Sequence, residues 1–485
     1  MMNDLLNRYA NLCITQAKHF SILLITLLSI ACSEESSSPD VVDAPAPQLL
    51  STTPANGATG IAGSELTVEF NFNQNISYTA SGQLSISAGD AVVSSVSAGS
   101  SKLIIVLTNL AKGKTFTVII PKGMIKNSDN VVAEQISLTF TTESEPEPLS
   151  LDAKLCTESP MKQTQQLYDY LLSIYGKKSL SGTMANVNWN IAEAELVHAA
   201  TGKYPAIAFF DYIHLPWSPA NWIDYSDTKV IENWWANNGL VGIGWHWNVP
   251  ATAEITDVNN YSYTPGDGKQ DSNGSWTTKF RPSNIFVDGS WERKVVDADL
   301  EKVAGYLKLL QDKGIPVIWR PLHEAAGNIY EYNGGKAWFW WGYDGADAYK
   351  KLWIYMFDFF KAKGINNLIW VWTSQLKDND FYPGDDYVDI IGNDIYNKTA
   401  ADDDLAQYNT LMTSYSNKLL TLSECGNVAT IPQQWNAGAK WLYFMPWYDY
   451  NKTTLVGHAN ADDTWWKNAF VDPTVITRDG LPSLK

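Results

Sequence analysis

Tryptophan is absent from the first 188 residues of this 485-residue chain, although the remainder contains 21. A change in composition of this size indicates more than one domain, and the length suits two or three. Basic residues are outnumbered, with 35 Lys and Arg against 52 Asp and Glu, and a net charge of −17 argues against a nucleic-acid partner, which needs a basic face. Histidine occurs six times, with no pair at metal-ligand spacing, so we expect no metal site and no cofactor.

Cysteine is also scarce, with four residues, of which two fall in an N-terminal leader. The apolar run "FSILLITLLSIACS" (20–33) is too short for a comfortable membrane span and predicts a signal peptide over residues 1–31. Its end, "LSIAC", resembles a bacterial lipobox, which implies lipidation of Cys32; a signal peptide with a chance cysteine is the alternative. Cys156 and Cys425 could pair, but their separation in sequence gives no geometry.

Residues 32–47 are rich in Ser, Pro and Asp and are interpreted as a linker. The stretch begins with "SEESSSPD", which resembles the acidic export signal of surface lipoproteins in Bacteroidetes. The resemblance implies a lipoprotein of the cell outer membrane, either surface-exposed or periplasmic. We expect the protein to be a monomer.

Residues 48–143 show short alternating apolar runs separated by Gly, Asn and Pro, which predicts an all-β sandwich. The clearest runs are "LTVEFNFN" (66–73), "KLIIVLT" (102–108), "TFTVIIP" (115–121) and "ISLTFTT" (136–142). The region resembles a bacterial Ig-like domain, and since nothing in it looks catalytic, we expect a spacer. Residues 144–150, which include most of "ESEPEP", are interpreted as a second linker stiffened by proline.

Residues 151–485 alternate between helical patterns and nearly continuous apolar runs, as strands buried on both faces require. The runs cover 180–186, 205–212, 240–247, 315–324, 367–374, 389–396, 419–426 and 441–448. Eight such units predict an α/β fold, a (β/α)₈ TIM barrel. The polar stretch 249–290 is expected to form an extended loop over one barrel face.

Polar or aromatic residues end at least six of the predicted strands, where a barrel of this type gathers its active groups. Two of these residues are glutamates, Glu324 and Glu424, on strands four and seven, which face one another across the barrel mouth. Glycoside hydrolysis needs such a pair, one carboxylic acid to protonate the leaving oxygen and one carboxylate to attack the anomeric carbon. A separation of roughly 5–5.5 Å would mean retention of configuration. The abundant tryptophans also suit flat stacking surfaces for sugars.

Other motifs in the same region do not complete a site. "HEAAG" opens like the zinc-protease motif HExxH but has Gly327 where the second histidine must stand. "GIG" (242–244) is followed by Trp245 and His246, where a dinucleotide phosphate would need bare backbone. Ser423 has no G-x-S-x-G elbow around it.

The segments "WRPLHE", "WFWWG", "GNDIY", "SECGN" and "FMPWY" together resemble glycoside hydrolase family 26 over about residues 155–480. The family consists mainly of β-1,4-mannanases with (β/α)₈ folds and a retaining mechanism. One departure is "AAGNIYEYNGGKA", between Glu324 and Trp338, which is longer than the compact form of the motif. It would lie near the leaving-group side.

The resemblance implies a role for each site residue. Glu324 is implied to be the general acid/base and Glu424 the nucleophile. The residues implied or expected to bind substrate are His246, Arg320, His323, Trp341, Asp394, Tyr396 and Trp447. Among these, Tyr396 is implied to hydrogen-bond the nucleophile and Trp447 to form the aromatic platform for the sugar at the cleavage point.

We therefore expect a retaining endo-β-1,4-mannanase acting on a β-mannan polysaccharide or oligosaccharide. A family relative acting on mixed-linkage β-glucan or β-1,3-xylan is the alternative within enzymes. The alternative from another class is a surface glycan-binding protein that has lost catalysis; the presence of both glutamates argues against it, because a binding protein needs neither.

Overall fold

The computed structural model describes residues 44–79, 84–87, 91–144, 150–185, 187–215 and 223–485. The predicted leader and residues 32–43 of the first linker, Cys32 among them, lie outside the described residues, as do residues 145–149 of the second linker. The chain divides into two compact units, Met1–Glu147 and Pro148–Lys485.

The N-terminal unit is all-β, as predicted. Its strands in the described part of the chain are β1 (Leu49–Thr53), β2 (Ala58–Ile61), β3 (Leu66–Phe72), β4 (Ser77–Tyr78), β5 (Ser85–Ser87), β6 (Val92–Gly99), β7 (Lys102–Thr108), β8 (Thr115–Ile120), β9 (Ile125–Lys126) and β10 (Ile136–Thr142). Two sheets, ordered β1-β3-β7-β6 and β2-β10-β8-β5, account for most of them. Strand β7 shows how the core forms, because Leu103, Ile105 and Leu107 are buried while the residues between them are half-buried, as the two-residue period of a strand requires.

The second unit is built on a closed barrel of eight parallel strands, which confirms the predicted fold. Its strands in the described residues are β11 (Ser179–Met184), β12 (Ile207–Asp211), β13 (Leu240–Trp245), β14 (Val249–Pro250), β15 (Tyr261–Ser262), β16 (Val317–Pro321), β17 (Leu368–Ser374), β18 (Ile390–Tyr396), β19 (Leu419–Gly426), β20 (Tyr443–Pro446) and β21 (Val475–Ile476). The barrel runs β11-β12-β13-β16-β17-β18-β19-β20, and β11 pairs with both β12 and β20, so the sheet has no open edge. Almost every residue of these eight strands is buried, as the continuous apolar runs predict.

The helices connect and cover the strands. In the described residues they are α1 (Lys162–Ile174), α2 (Ala192–Thr201), α3 (Lys229–Ala236), α4 (Trp291–Asp312), α5 (Ala346–Ala362), α6 (Ala401–Ser414), α7 (Ile431–Ala437) and α8 (Asp463–Val471). Helix α4 shows why they begin and end where they do. The Ser290 side chain accepts from the Arg293 N–H at 3.1 Å at its start, and Gly314 adopts φ 70° just beyond its end, while the Ile315 N–H donates to the Leu310 carbonyl.

The long polar stretch 249–290 contains the short β14–β15 hairpin and a 3₁₀ turn over Pro282–Phe286. It reaches the barrel mouth, since the Tyr263 carbonyl accepts from the Trp340 N–H at 2.9 Å and the Tyr263 ring lies 5.9 Å from that of His246. Cys156 and Cys425 are both free thiols. No helix among the described residues has both the length and the apolar character needed to cross a bilayer.

Candidate active site

Parallel strands present all their carboxyl ends at one mouth of a closed barrel, so residues distant in sequence meet there. Glu324 follows β16, Asp394 and Tyr396 end β18, and Glu424 lies near the end of β19. One carboxylate oxygen from each of Glu324, Asp394 and Glu424 lies within 4.8 Å of the other two. The barrel therefore brings together the two glutamates on which the sequence prediction rests, with a third acid beside them.

Glu324 sits on a strained segment directly after β16. Leu322 and Glu324 both adopt φ 49°, in the left-handed region that costs a side-chain-bearing residue of order 1 kcal/mol or more and that clusters at functional sites. The Glu324 carboxylate Oε2 accepts from the Trp338 indole N–H at 3.0 Å. Burial raises the pKa of Glu324 well above its usual range, and the charges of Asp394 and Glu424 raise it further. Glu324 therefore retains its proton where an ordinary glutamate would be ionised.

Two side chains donate hydrogen bonds to the carboxyl oxygens of Glu424. The Tyr396 hydroxyl donates to its Oε1 at 2.6 Å, and the Arg320 guanidinium donates to its Oε2 at 3.1 Å. Burial and the adjacent Glu424 charge raise the pKa of Tyr396, so its phenol keeps the proton that it donates. Both hydrogen bonds fix the position of the Glu424 carboxyl group at the mouth.

Arg320 links the acidic groups from below the mouth. Its guanidinium also forms an ion pair with Asp394, and its Nε donates to the Thr373 hydroxyl at 3.0 Å. Asp394 accepts from the Ser423 hydroxyl at 2.7 Å, while burial raises the pKa of Asp394 to about 6 in spite of the nearby guanidinium. Three carboxyl groups thus share one cation, and the shortage of positive charge leaves Glu324 as the group that holds a proton.

Two histidines meet edge to face at the mouth, with the His246 and His323 rings 4.4 Å apart. The Asp211 carboxylate lies 2.7 Å from His246 Nδ1 and also accepts from the His246 backbone N–H at 3.0 Å, and these two contacts fix the ring. Burial, then Arg320 and His246, lower the pKa of His323 well below its usual range, so that ring is neutral.

Aromatic side chains surround the histidines. The Trp447 ring lies 5.6 Å from that of His246 and 5.2 Å from that of Tyr448, and Phe339 lies 5.1 Å from His323. Trp447 is partly exposed, as a platform for a sugar must be. Its backbone N–H donates to the Cys425 carbonyl at 2.8 Å, which places Trp447 directly after β20 and beside the residue that follows Glu424.

Three side chains that are expected to contact substrate are buried in this structure. Arg320 is 3% exposed, His323 is 2% exposed and Trp341 is fully buried. Trp341 stacks on Phe339 with ring centroids 4.3 Å apart, and its indole N–H donates to the His323 carbonyl at 2.9 Å. These residues lie behind the barrel mouth, because the segment after β16 folds back and packs against "WFWWG"; direct substrate contact by them stays a prediction.

Sequence reasoning missed several groups that complete the site. Trp338, the first residue of "WFWWG", holds the Glu324 carboxylate, although the motif was noted without a role for this residue. Asp211, at the end of β12, is the partner of His246, and no sequence pattern gave it that role. Ser423 was considered only as a nucleophile, whereas it donates to Asp394.

Among the described residues, the side chains that could together hold a metal ion are the three clustered acids, Glu324, Asp394 and Glu424. The Arg320 guanidinium already bonds to Asp394 and Glu424, so a cation would have to displace it. Hard cations such as Mg²⁺ and Ca²⁺ take six or more oxygen ligands, and a cluster occupied by a fixed guanidinium fits them poorly.

Comparison with known proteins agrees with this geometry. Residues 156–480 match the sequence profile of glycosyl hydrolase family 26. The chain belongs to glycosyl hydrolase family 26. Residues 43–142 of this family 26 protein match the profile of a bacterial Ig-like domain, as the sequence predicted.

Characterised relatives of the family 26 domain carry one activity in their names. Mannan endo-1,4-beta-mannosidase B of Piromyces sp is 31% identical over 345 residues, which cover 69% of this chain and 54% of the relative. The mannan endo-1,4-beta-mannosidase of Bacillus subtilis (strain 168) is 30% identical over 322 residues, covering 59% of this chain and 78% of the relative. The chain spans about half the length of the Piromyces relatives, 54% and 51%.

A solved structure supports the same fold. The GH26 domain of an endo-beta-mannanase/endo-beta-glucanase of Prevotella bryantii is 42% identical, with a TM-score of 0.61 over 68% of this chain and 99% of that domain. The aligned share of this chain is close in length to the second compact unit, which contains the barrel and the carboxylate cluster.

Proposed function

We propose that this protein is a retaining endo-β-1,4-mannanase that cleaves mannan-type polysaccharides by double displacement. The observation that carries the proposal is the pair Glu324 and Glu424 at one barrel mouth, with one oxygen of each within 4.8 Å. That spacing fits attack by a carboxylate on the sugar and leaves little room for an intervening water. The relatives named as mannan endo-1,4-beta-mannosidases support the choice of substrate.

In the first step, the Glu424 carboxylate attacks the anomeric carbon while the Glu324 carboxyl gives its proton to the departing glycosidic oxygen. The C–O bond to the leaving sugar breaks, a glycosyl ester to Glu424 forms, and Glu324 becomes a carboxylate. The structure suits each role, since burial raises the pKa of Glu324 whereas Tyr396 and Arg320 donate to Glu424.

In the second step, Glu324 acts as the base. It removes a proton from a water molecule whose oxygen attacks the same anomeric carbon, and the ester bond to Glu424 breaks. Glu324 is again a carboxylic acid and Glu424 a carboxylate, which restores the starting state. Two inversions at one carbon give net retention of the β configuration.

Arg320 and Asp394 compensate for the movement of negative charge between the two glutamates during this cycle. When Glu424 becomes an uncharged ester, Arg320 loses one of its anionic partners but retains Asp394. The negative charge then lies on Glu324, close to Asp394, and this proximity makes Glu324 a stronger base. We assign Arg320, His323 and Trp341 as positioning residues, because each is buried and acts through a neighbour.

We propose that four side chains contact substrate: His246, Asp394, Tyr396 and Trp447. His246 Nε2 can form a hydrogen bond with a sugar hydroxyl, since Asp211 holds Nδ1. Trp447 offers a flat face to the apolar side of a pyranose.

A product profile separates this function from its rivals. We expect purified protein to release manno-oligosaccharides of several lengths from mannan and galactomannan, with little release from lichenan or β-1,3-xylan. Preferential release from lichenan or from β-1,3-xylan would favour the corresponding alternative. Binding without any hydrolysis would favour the glycan-binding protein, although the raised pKa of Glu324 beside Glu424 is a feature that binding alone does not need.

For cellular location, we propose a lipoprotein of the outer membrane, anchored through Cys32 and carrying the catalytic domain beyond an Ig-like spacer. The support is in the sequence: the "LSIAC" lipobox-like end of the leader and the acidic stretch that follows it.

A further inference from the structure

We propose that Asn460 is a positioning residue, which holds the Trp447 ring in place as the platform for the sugar at the cleavage point. The inference rests on the proposed function and gives a role to a residue outside the sequence motifs described above. Asn460 lies between β20 and α8, in residues 447–462, which are called the β20–α8 loop below. Trp447 is the first residue of the same loop.

The Asn460 amide bonds directly to the backbone of the platform. Its Nδ2 donates to the Trp447 carbonyl at 3.1 Å and to the Tyr448 carbonyl at 3.2 Å. The Trp447 N–H is held from the other side, because it donates to the Cys425 carbonyl at 2.8 Å. Both peptide groups that flank the Trp447 Cα are therefore fixed, one by β19 and the other by Asn460. Since the Trp447 ring is partly exposed, its position depends on this backbone more than that of a ring packed on all sides.

The amide reaches these carbonyls because Gly426 leaves room for it. A β-carbon at residue 426 would lie 2.2 Å from Asn460 Oδ1, far inside van der Waals contact. Gly426 ends β19, two residues after Glu424, the proposed nucleophile. This close approach packs the Asn460 side chain against the strand that carries the nucleophile, so the sugar platform and the nucleophile share one support.

The backbone of Asn460 is fixed as well. Its carbonyl accepts from the Asn427 N–H at 2.8 Å, just after β19, and its N–H donates to His458 Nδ1 at 3.2 Å. The same ring nitrogen accepts from the Ala461 N–H at 3.1 Å. The other ring nitrogen of His458 lies 3.3 Å from the Glu193 carboxylate on α2, and both of these side chains are buried. The β20–α8 loop is thus tied to the barrel at Asn460, and its amide is preorganised to hold the platform.

The test is a double-mutant cycle between Asn460→Ala and Trp447→Ala in the full-length protein, with kcat/KM measured on a 2,4-dinitrophenyl β-mannobioside. We expect Asn460→Ala alone to lower kcat/KM roughly tenfold, because a misplaced contact at the reacting sugar costs up to about 10²-fold. In the Trp447→Ala background the same change should cost less than about twofold, since the side chain through which Asn460 acts is gone. An equal loss in both backgrounds, or no loss in either, would overturn the assignment. Asn451→Ala, exposed on the same loop, is the matched control.

Two further measurements separate positioning from a general loss of stability. Asn460→Asp keeps the shape of the side chain but turns an oxygen toward the two carbonyls, so above neutral pH it should be as slow as Asn460→Ala; full activity would contradict the proposal.

The position of the ring is measured by fluorine NMR of protein labelled with 5-fluorotryptophan, in which the Trp447 resonance is assigned by its absence from Trp447→Phe. We expect this resonance to shift or broaden in Asn460→Ala and to stay unchanged in Asn451→Ala; an unchanged resonance in Asn460→Ala would overturn the assignment. Failure of the proposed function looks different, because the unmutated protein would then hydrolyse neither mannan nor the aryl substrate, while the fluorine spectrum would still report on the Trp447 ring.

Discussion

Removing the Glu324 carboxyl should slow natural substrates far more than activated ones. In Glu324→Ala, the departing sugar oxygen has no proton donor, and general acid catalysis is worth about 10²–10⁴-fold. We place the loss on mannohexaose near the middle of that range, about 10³-fold or roughly 4 kcal/mol, because burial and two adjacent carboxylates keep Glu324 protonated and effective as an acid. The dinitrophenolate group of a 2,4-dinitrophenyl β-mannobioside leaves without protonation, so the first step with this substrate should be nearly unaffected.

The second step of the variant lacks its base, so the glycosyl ester should accumulate and kcat for the aryl substrate should fall together with KM. Azide needs no base, and we expect it to restore turnover and give a β-mannosyl azide, the product of two inversions. The assay is steady-state release of dinitrophenol with and without azide, with product stereochemistry by NMR. Glu301→Ala is the matched control, since Glu301 pairs with Lys363 on the surface, far in role from the mouth.

The pH profile supplies an independent readout. Glycosylation requires the protonated form of Glu324, so kcat/KM of the unmutated enzyme should be lost as pH rises through the raised pKa of that group. In Glu324→Ala this alkaline limb should disappear from the residual activity on mannohexaose. An α-azide product, or equal losses on mannohexaose and the aryl substrate without rescue, would refute the assignment of Glu324 as acid and base.

Three further changes test other parts of the account. Tyr396→Phe removes the 2.6 Å donor to Glu424 and should lower kcat about tenfold or more while circular dichroism stays the same; an unchanged kcat would show that this bond does not serve the nucleophile. Asp404 is buried, has no hydrogen-bond partner among the described residues, and has a pKa raised to about 7 by burial. Its contribution to the free energy of unfolding therefore declines as pH rises toward 7, so Asp404→Asn should reduce the fall in stability between pH 5 and pH 8 by about 2 kcal/mol in denaturant titrations, whereas an equal fall in both proteins would contradict this. Cys32→Ala should move the protein from the membrane fraction to the soluble fraction. A variant that stays in the membrane fraction would contradict the proposed lipidation of Cys32.

The barrel could be predicted because its signal is local. A strand buried on both faces needs a continuous apolar run, and seven of the eight runs contain the whole strand found there, while β11 begins one residue before its run. The run 419–426 matches β19 to the residue. Glycines at positions 314 and 364 likewise indicate the helix ends, since both adopt φ near 70°. The sandwich strands at 102–108 and 136–142 also match in full.

The partners within the site could not be predicted in the same way, because they depend on closure of the barrel. Arg320 and Glu424 are 104 residues apart in sequence, and no local pattern specifies that the guanidinium lies between Glu424 and Asp394. The burial of Trp341 does not follow from the sequence for a related reason. A tryptophan-rich motif has the same appearance whether a ring faces the cleft or packs behind it, and only the fold of the segment after β16 decides between Trp338 and Trp341.

The central claim is that Glu424 forms a covalent bond to the sugar. The most direct measurement is to incubate the protein with an activated 2-deoxy-2-fluoro-β-mannoside, which slows both steps and traps the glycosyl ester, and then to locate the adduct by mass spectrometry of peptides. The account predicts one added fluoromannosyl group on the peptide containing Glu424, and none in Glu424→Ala. An adduct on Glu324 or Asp394 in the unmutated protein, or hydrolysis of the reagent to an α-configured product without any adduct, would contradict it.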